Sequence, residues 1–164
     1  MALADEAAWV VLVGIGATAV MDVWSAILKA LGVPTLDYAF VGRWAGHLCR
    51  GRLGHASIGT AAPIPGELLL GWLIHYAVGI TFAALLVSVC GVGWLREPAW
   101  LPALAVGMAT VVLPLFVMQP AMGAGFAASR TPTPLKSCLR SLATHAVFGW
   151  GLYLSAALLK RVWE

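Results

Sequence analysis

Charge is what this chain has least of. Ten Lys and Arg and seven Asp and Glu account for 10% of its 164 residues, where a soluble domain carries about 25%. Hydrophobic residues make up 61% and mean hydropathy is +0.90. Something other than water must solvate most of such a surface, and lipid is the simplest candidate. The net charge of +3 is too small and too scattered to support nucleic-acid binding. Cysteine is scarce as well. Cys49, Cys90 and Cys138 are odd in number and widely spaced, which fits no disulfide framework and leaves reduced thiols. A cleavable leader is not expected either. Met1-Ala-Leu-Ala-Asp5-Glu6 is acidic where a signal peptide is basic, and the run after it carries Asp22 and Lys29 without a small-residue cleavage site.

Long apolar runs are what the chain does have. A bilayer core of about 30 Å takes roughly 20 apolar residues per helix. Four runs meet that length: about 8–31, 67–91, 100–118 and 139–159. The fold class expected is all-α, a polytopic membrane protein built as one four-transmembrane-helix bundle over residues 1–164. Pro114 and Pro120 are expected to kink or break the third helix, with Gly123 and Gly125 loosening its end.

With four spans, the loops after the first and third share a side. That side holds Lys29, Arg43, Arg50, Arg52, Arg130, Lys136 and Arg140, against Arg96, Lys160 and Arg161 opposite. The positive-inside rule then puts both termini outside. Trp9, Trp94, Trp100 and Trp163 mark the outer helix ends, as an interfacial belt would. Between spans one and two, Thr35 is a candidate N-cap. Leu36, Phe40, Trp44 and Leu48 recur every four residues up to Gly51. That spacing predicts an amphipathic helix over about 36–49, lying in the membrane interface or packed over the bundle. Arg43, Arg50 and Arg52 are placed to meet lipid phosphates.

Ionisable groups inside a span cost several kcal/mol and usually face the bundle interior. Asp22 lies about 13 Å from the inner end of helix one at 1.5 Å per residue, His75 about 12 Å into helix two, and His145 roughly 9 Å into helix four. Gln119 closes helix three near the same face. The expected binding cluster is therefore Asp22, His75, Gln119 and His145, with Thr18, Ser25, Thr110 and Thr144 as hydrogen-bond partners. Pro114 also frees the Thr110 carbonyl, an acceptor the bundle must satisfy.

Three uses of such a cluster stand open. It could bind a proton, cation or small polar solute in transit, in which case four helices suggest a homodimer. Alternatively, His75 and His145 could be the axial pair of a b-type haem, with Gly79 and Gly149 making room for the porphyrin, or join Asp22 as a divalent-metal set. The third use is structural, a polar tie between helices in an assembly subunit. The loop residues His47, Cys49 and His55, with Cys138 on the same face, are ligand types that suit zinc, though in no usual spacing, and solvated loop side chains are the expected reading. No Cys-x-x-Cys-His, His-Glu-x-x-His or Gly-x-Ser-x-Gly motif occurs, so an enzyme is not the expected class.

A weak internal repeat is visible. Val20-Met21-Asp22 parallels Val117-Met118-Gln119, and His75-Tyr-Ala-Val-Gly79 parallels His145-Ala-Val-Phe-Gly149. Several strings also resemble one bacterial membrane family across nearly the whole chain: Gly14-Ile-Gly-Ala-Thr18-Ala-Val-Met-Asp22, Val41-Gly-Arg-Trp-Ala-Gly-His47, His55-Ala-Ser57, His75-Tyr, Met118-Gln-Pro-Ala-Met-Gly-Ala-Gly125 and Thr144-His-Ala-Val-Phe-Gly149. That is the domain-of-unknown-function 2938 family. The resemblance implies a small integral protein of a bacterial plasma membrane and transfers no catalytic residue.

Overall fold

A computed structural model of the protein describes residues 3–163, the side chains of residues 3, 4 and 163 excepted. The Trp163 side chain of the expected belt thus lies outside the described side chains. The elements are α1 (Leu3–Ala30), α2 (Tyr38–Leu48), α3 (Glu67–Cys90), a single turn α4 (Gly93–Arg96), α5 (Trp100–Ala109), α6 (Gln119–Ala121) and α7 (Pro134–Trp163). Short 3-10 turns sit at Ile58–Thr60 and Phe126–Ala128, and no strand occurs among the described residues. Four segments are long and apolar enough to cross a membrane: Asp5–Ala30, Glu67–Cys90, Trp100–Ala121 and Pro134–Val162. The expected all-α membrane bundle is the fold found.

Two helices start before their expected residues, because a polar first turn still forms helix beyond the apolar run. In α7 the Ser137 N–H already reaches the Thr133 carbonyl, and Pro134 suits a first turn through its fixed φ and missing N–H. The third span breaks as its prolines predict. α5 stops at Ala109, since Pro114 has no N–H to offer the Thr110 carbonyl. The chain resumes as a π-turn, Pro114–Met118, in which the Gln119 N–H reaches back five residues to the Pro114 carbonyl.

Contacts divide the chain into two compact units. One gathers α1, residues 76–110 and α7 from Thr144 onward. Its core joins Val13, Ala17, Leu86, Leu95, Phe148 and Leu152. Here helices meet backbone to backbone. A Cβ added at Gly14 would lie 2.5 Å from Ile80 Cα, one at Gly107 2.5 Å from Gly149 Cα, and one at Gly151 2.9 Å from Ala17 Cα. Lipid is as apolar as leucine, so helices in a membrane associate by this close fit of small residues. Trp9 and Trp94, each only 5% exposed, belong to the same core. These two rings of the expected belt thus pack into protein, while Trp100 remains exposed.

The other unit holds residues 35–75 and 111–143. Asp37, not the expected Thr35, caps α2, its carboxylate accepting the Ala39 N–H at 2.9 Å. α2 buries Val41, Gly42 and His47, with Gly42 against the backbone of Glu67 and Gly71 in α3. It is therefore docked on α3 through its glycine face; of the expected apolar stripe Leu36 and Leu48 are exposed, while Phe40 and Trp44 are half-buried. Residues 55–58 are held along the α6 turn by two backbone bonds of 2.9 Å, His55 N–H to the Ala121 carbonyl and Ile58 N–H to the Met122 carbonyl. Gly123, at φ +95, lets the Ala56 carbonyl approach where a side chain would collide.

Candidate functional site

Within the first unit, Asp22 on α1 accepts a 2.9 Å hydrogen bond from Tyr76 Oη on α3. His145 on α7 meets Thr110 at the end of α5, Nδ1 to Oγ1 at 2.9 Å. The direction of that bond follows from proton counting. Thr110 has one hydroxyl proton and donates it to the Gly107 carbonyl at 2.6 Å. His145 must therefore donate from Nδ1–H, so neutral His145 keeps Nε2 as its acceptor. Thr18 turns its hydroxyl to its own helix, donating to the Gly14 carbonyl at 2.8 Å. Thr144 accepts from Trp24 Nε1 at 3.3 Å.

In the second unit, His75 Nε2 pairs with Tyr38 Oη at 2.9 Å, and the two rings stack with centroids 4.2 Å apart. Trp72 closes on Tyr38 at 4.4 Å. Gln119 sits directly after the π-turn, its Oε1 buried without a hydrogen-bond partner. Each member of the expected cluster except Gln119 is thus joined to a hydroxyl, two of them the tyrosines Tyr76 and Tyr38. Sequence reasoning missed both tyrosines, although Tyr76 follows His75 directly.

Among the described residues no three His, Cys, Asp or Glu side chains are placed to hold a metal ion, so the set of Asp22, His75 and His145 gains no support. The glycines expected to admit a porphyrin are filled by protein. Gly79 faces Thr18 and the Gly14 carbonyl, and Gly149 faces Ala103 and Leu104. The loop histidines, expected to be solvated rather than zinc-bound, depart from that expectation. His47 and His55 do meet, both buried at 6% and 7% exposure. Their separation, His47 Nδ1 to His55 Nε2, is 2.7 Å with rings stacked at 4.9 Å. That is a hydrogen bond; two nitrogens on one tetrahedral zinc stand about 3.3 Å apart at Zn–N distances near 2.0 Å. Cys49 is exposed, and Cys138 Sγ donates to the Ala127 carbonyl at 3.1 Å. His55 Nδ1 is buried without a partner. Burial, then the nearby Arg52 charge, hold the His55 proton affinity below the usual histidine value.

The basic residues divide by environment. Arg50 and Arg52 are exposed and remain available to lipid phosphate. Arg43 is a correction: its Nε and Nη2 donate to Glu67 Oε2 and Oε1 at 2.9 and 2.6 Å, and Nη1 to the Ile58 and Ala61 carbonyls at 3.2 Å. Glu67 also accepts the Ile64 N–H. This hub ties α2, the loop and the start of α3, and the hydrogen bond to Glu67, helped by its charge and opposed by burial, raises the Arg43 pKa above its ordinary value.

Fold and polar pairs together define a multi-pass α-helical membrane protein with titratable groups inside its spans. A family model described as a protein of unknown function (DUF2938) matches residues 11–159, and the chain belongs to that family. No curated protein and no solved structure matches it.

Proposed function

We propose that this protein handles protons, or a small polar solute or cation that exchanges with them, within the membrane. One observation carries the reading: three ionisable side chains inside spans, Asp22, His75 and His145, each lie 2.9 Å from a hydroxyl oxygen. The two tyrosine hydroxyls both donate and accept, so each can pass a proton to its carboxylate or imidazole partner without breaking the surrounding packing, whereas Thr110, its proton held by the Gly107 carbonyl, orients His145. Histidine is suited to this because its charge changes near neutral pH. A haem held by His75 and His145 would have to displace Tyr38 from His75 Nε2, which ranks that alternative lower. A purely structural tie between helices is the remaining alternative. The setting proposed is a bacterial plasma membrane with both termini outside, supported by the basic loops after the first and third spans; a homodimer would supply more helices around a pathway.

The test is proton flux into proteoliposomes loaded with a pH-sensitive dye. The reading expects flux in the unaltered protein and its loss in Asp22→Asn with the fold retained. Absence of flux, or equal flux in Asp22→Asn, overturns it. A Soret band in the purified protein would select haem instead.

A further inference from the structure

The His47–His55 pair lies outside the spans and is not used by the proton-handling reading. Its geometry leaves little freedom. At 2.7 Å between ring nitrogens, one ring must donate and the other accept, so the contact exists only while one facing nitrogen lacks a proton. Two imidazolium rings would point N–H against N–H. Both rings are more than nine-tenths buried, and the outer nitrogen of His55 has no partner to receive a further proton's hydrogen bond.

Each element around the pair can be checked for charge. The loop contributes Arg52, whose charge opposes protonation of His55. α2 contributes Arg43 and α3 contributes Glu67; these two are bound to each other, and Glu67 is also close enough to feel a charge on His47. The segment 119–123 contributes the Ala121 carbonyl and the neutral amide of Gln119; residues 111–129 contain no charged side chain. No unpaired acid in this set is available to hold an imidazolium.

The pair also sits where it matters mechanically. The His55 ring contacts α2 and the His55 N–H bonds Ala121, so one residue bridges both elements. Ile58 N–H to Met122 follows three residues on. We propose that the His47–His55 pair is a proton-binding site acting as a latch: with at least one ring neutral it clamps residues 53–58 between α2 and the 119–123 turn; with both rings charged it releases them.

The sign agrees with the electrostatics. The His55 pKa in the folded protein lies below the ordinary value of about 6.5, so the open form binds more protons than the closed one. Closure is then fully favoured above about pH 6.5 and weakens as pH falls through it.

Hydrogen exchange on the detergent-solubilised protein, corrected for the intrinsic pH dependence of exchange, reads the latch at the His55 and Ile58 amides. Protection there is expected to fall at least tenfold between pH 7.5 and 5, while amides of Leu86 and Leu152 stay protected. In His47→Gln/His55→Gln the fall should vanish. Arg52→Gln, a surface change, should move the midpoint to higher pH by removing the opposing charge. Flat protection in the unaltered protein, a fall that persists in the double variant, or an unmoved midpoint in Arg52→Gln overturns the latch. These readouts do not involve flux, so they decide the latch independently of Asp22.

Discussion

A single hydroxyl proton fixes more chemistry here than any charge. Because Thr110 donates to Gly107 at 2.6 Å, it can only accept from His145. Thr110→Val should remove that acceptor, lower stability by about 1 kcal/mol, and let the His145 proton redistribute to Nε2. Ring 15N shifts would report the change, and Thr110→Ser should restore the original pattern; an unchanged tautomer in Thr110→Val would contradict the assignment. Arg43 makes a complementary case. Arg43→Lys keeps the charge but replaces a planar fork by a point donor, so it should recover only part of the melting temperature lost in Arg43→Ala. Full recovery would mean that charge alone holds the hub. The sequence showed Asp22, His75 and His145 because ionisable residues in an apolar run are expensive and stand out. It did not show Tyr76 and Tyr38, since tyrosine is at home in apolar helices. It also sent Arg43 to lipid, because Glu67 is 24 residues away and no local pattern links them.

Elements in this protein are fastened by glycine rather than by interlocking large side chains. Gly107 and Gly149 join α5 to α7, as Gly14 and the Gly79–Ile80 backbone join α1 to α3. A Cβ at Gly107 would meet backbone atoms of Gly149 and His145 that cannot swing aside. Gly107→Ala should therefore cost about 1–3 kcal/mol by overpacking, read as earlier unfolding in a denaturing-detergent titration. Gly93→Ala, with nothing within 4 Å, should change little; equal effects would refute the close-approach account. The same crossings refine the internal repeat. Gly14 against Gly79–Ile80 parallels Gly107 against Gly149, whereas in sequence Asp22 lies eight residues after Gly14 and Gln119 twelve after Gly107, with Pro114 inside the longer interval. Helix existence was legible in the sequence because apolar length is a strong signal. The α2 face was not: hydrophobic periodicity pointed to Leu36, Phe40, Trp44 and Leu48, but Gly42 permits the closest approach to α3, and proximity decided the packing.

For the whole molecule, orientation is the property that sequence bias proposes and chemistry can check without inserting a tag. Seven basic residues lie at the α1–α3 and α5–α7 connections, three at the other side. The chain carries its own reporters: Cys49 at the end of α2 and Cys90 at the end of α3 are both exposed, and the single span between them, Glu67–Cys90, puts them on opposite faces. In spheroplasts, a variant keeping only Cys90 should react with a membrane-impermeant maleimide before lysis. One keeping only Cys49 should react only after the membrane is opened. A reversed pattern would invert the orientation and leave the four spans standing. Reaction of both from outside would instead require that Glu67–Cys90 does not cross, because a crossing helix cannot place its two flanks in the same aqueous phase. That outcome would also remove His75 and Tyr76 from the membrane interior, and with them two of the three hydroxyl pairs on which the proton-handling reading rests.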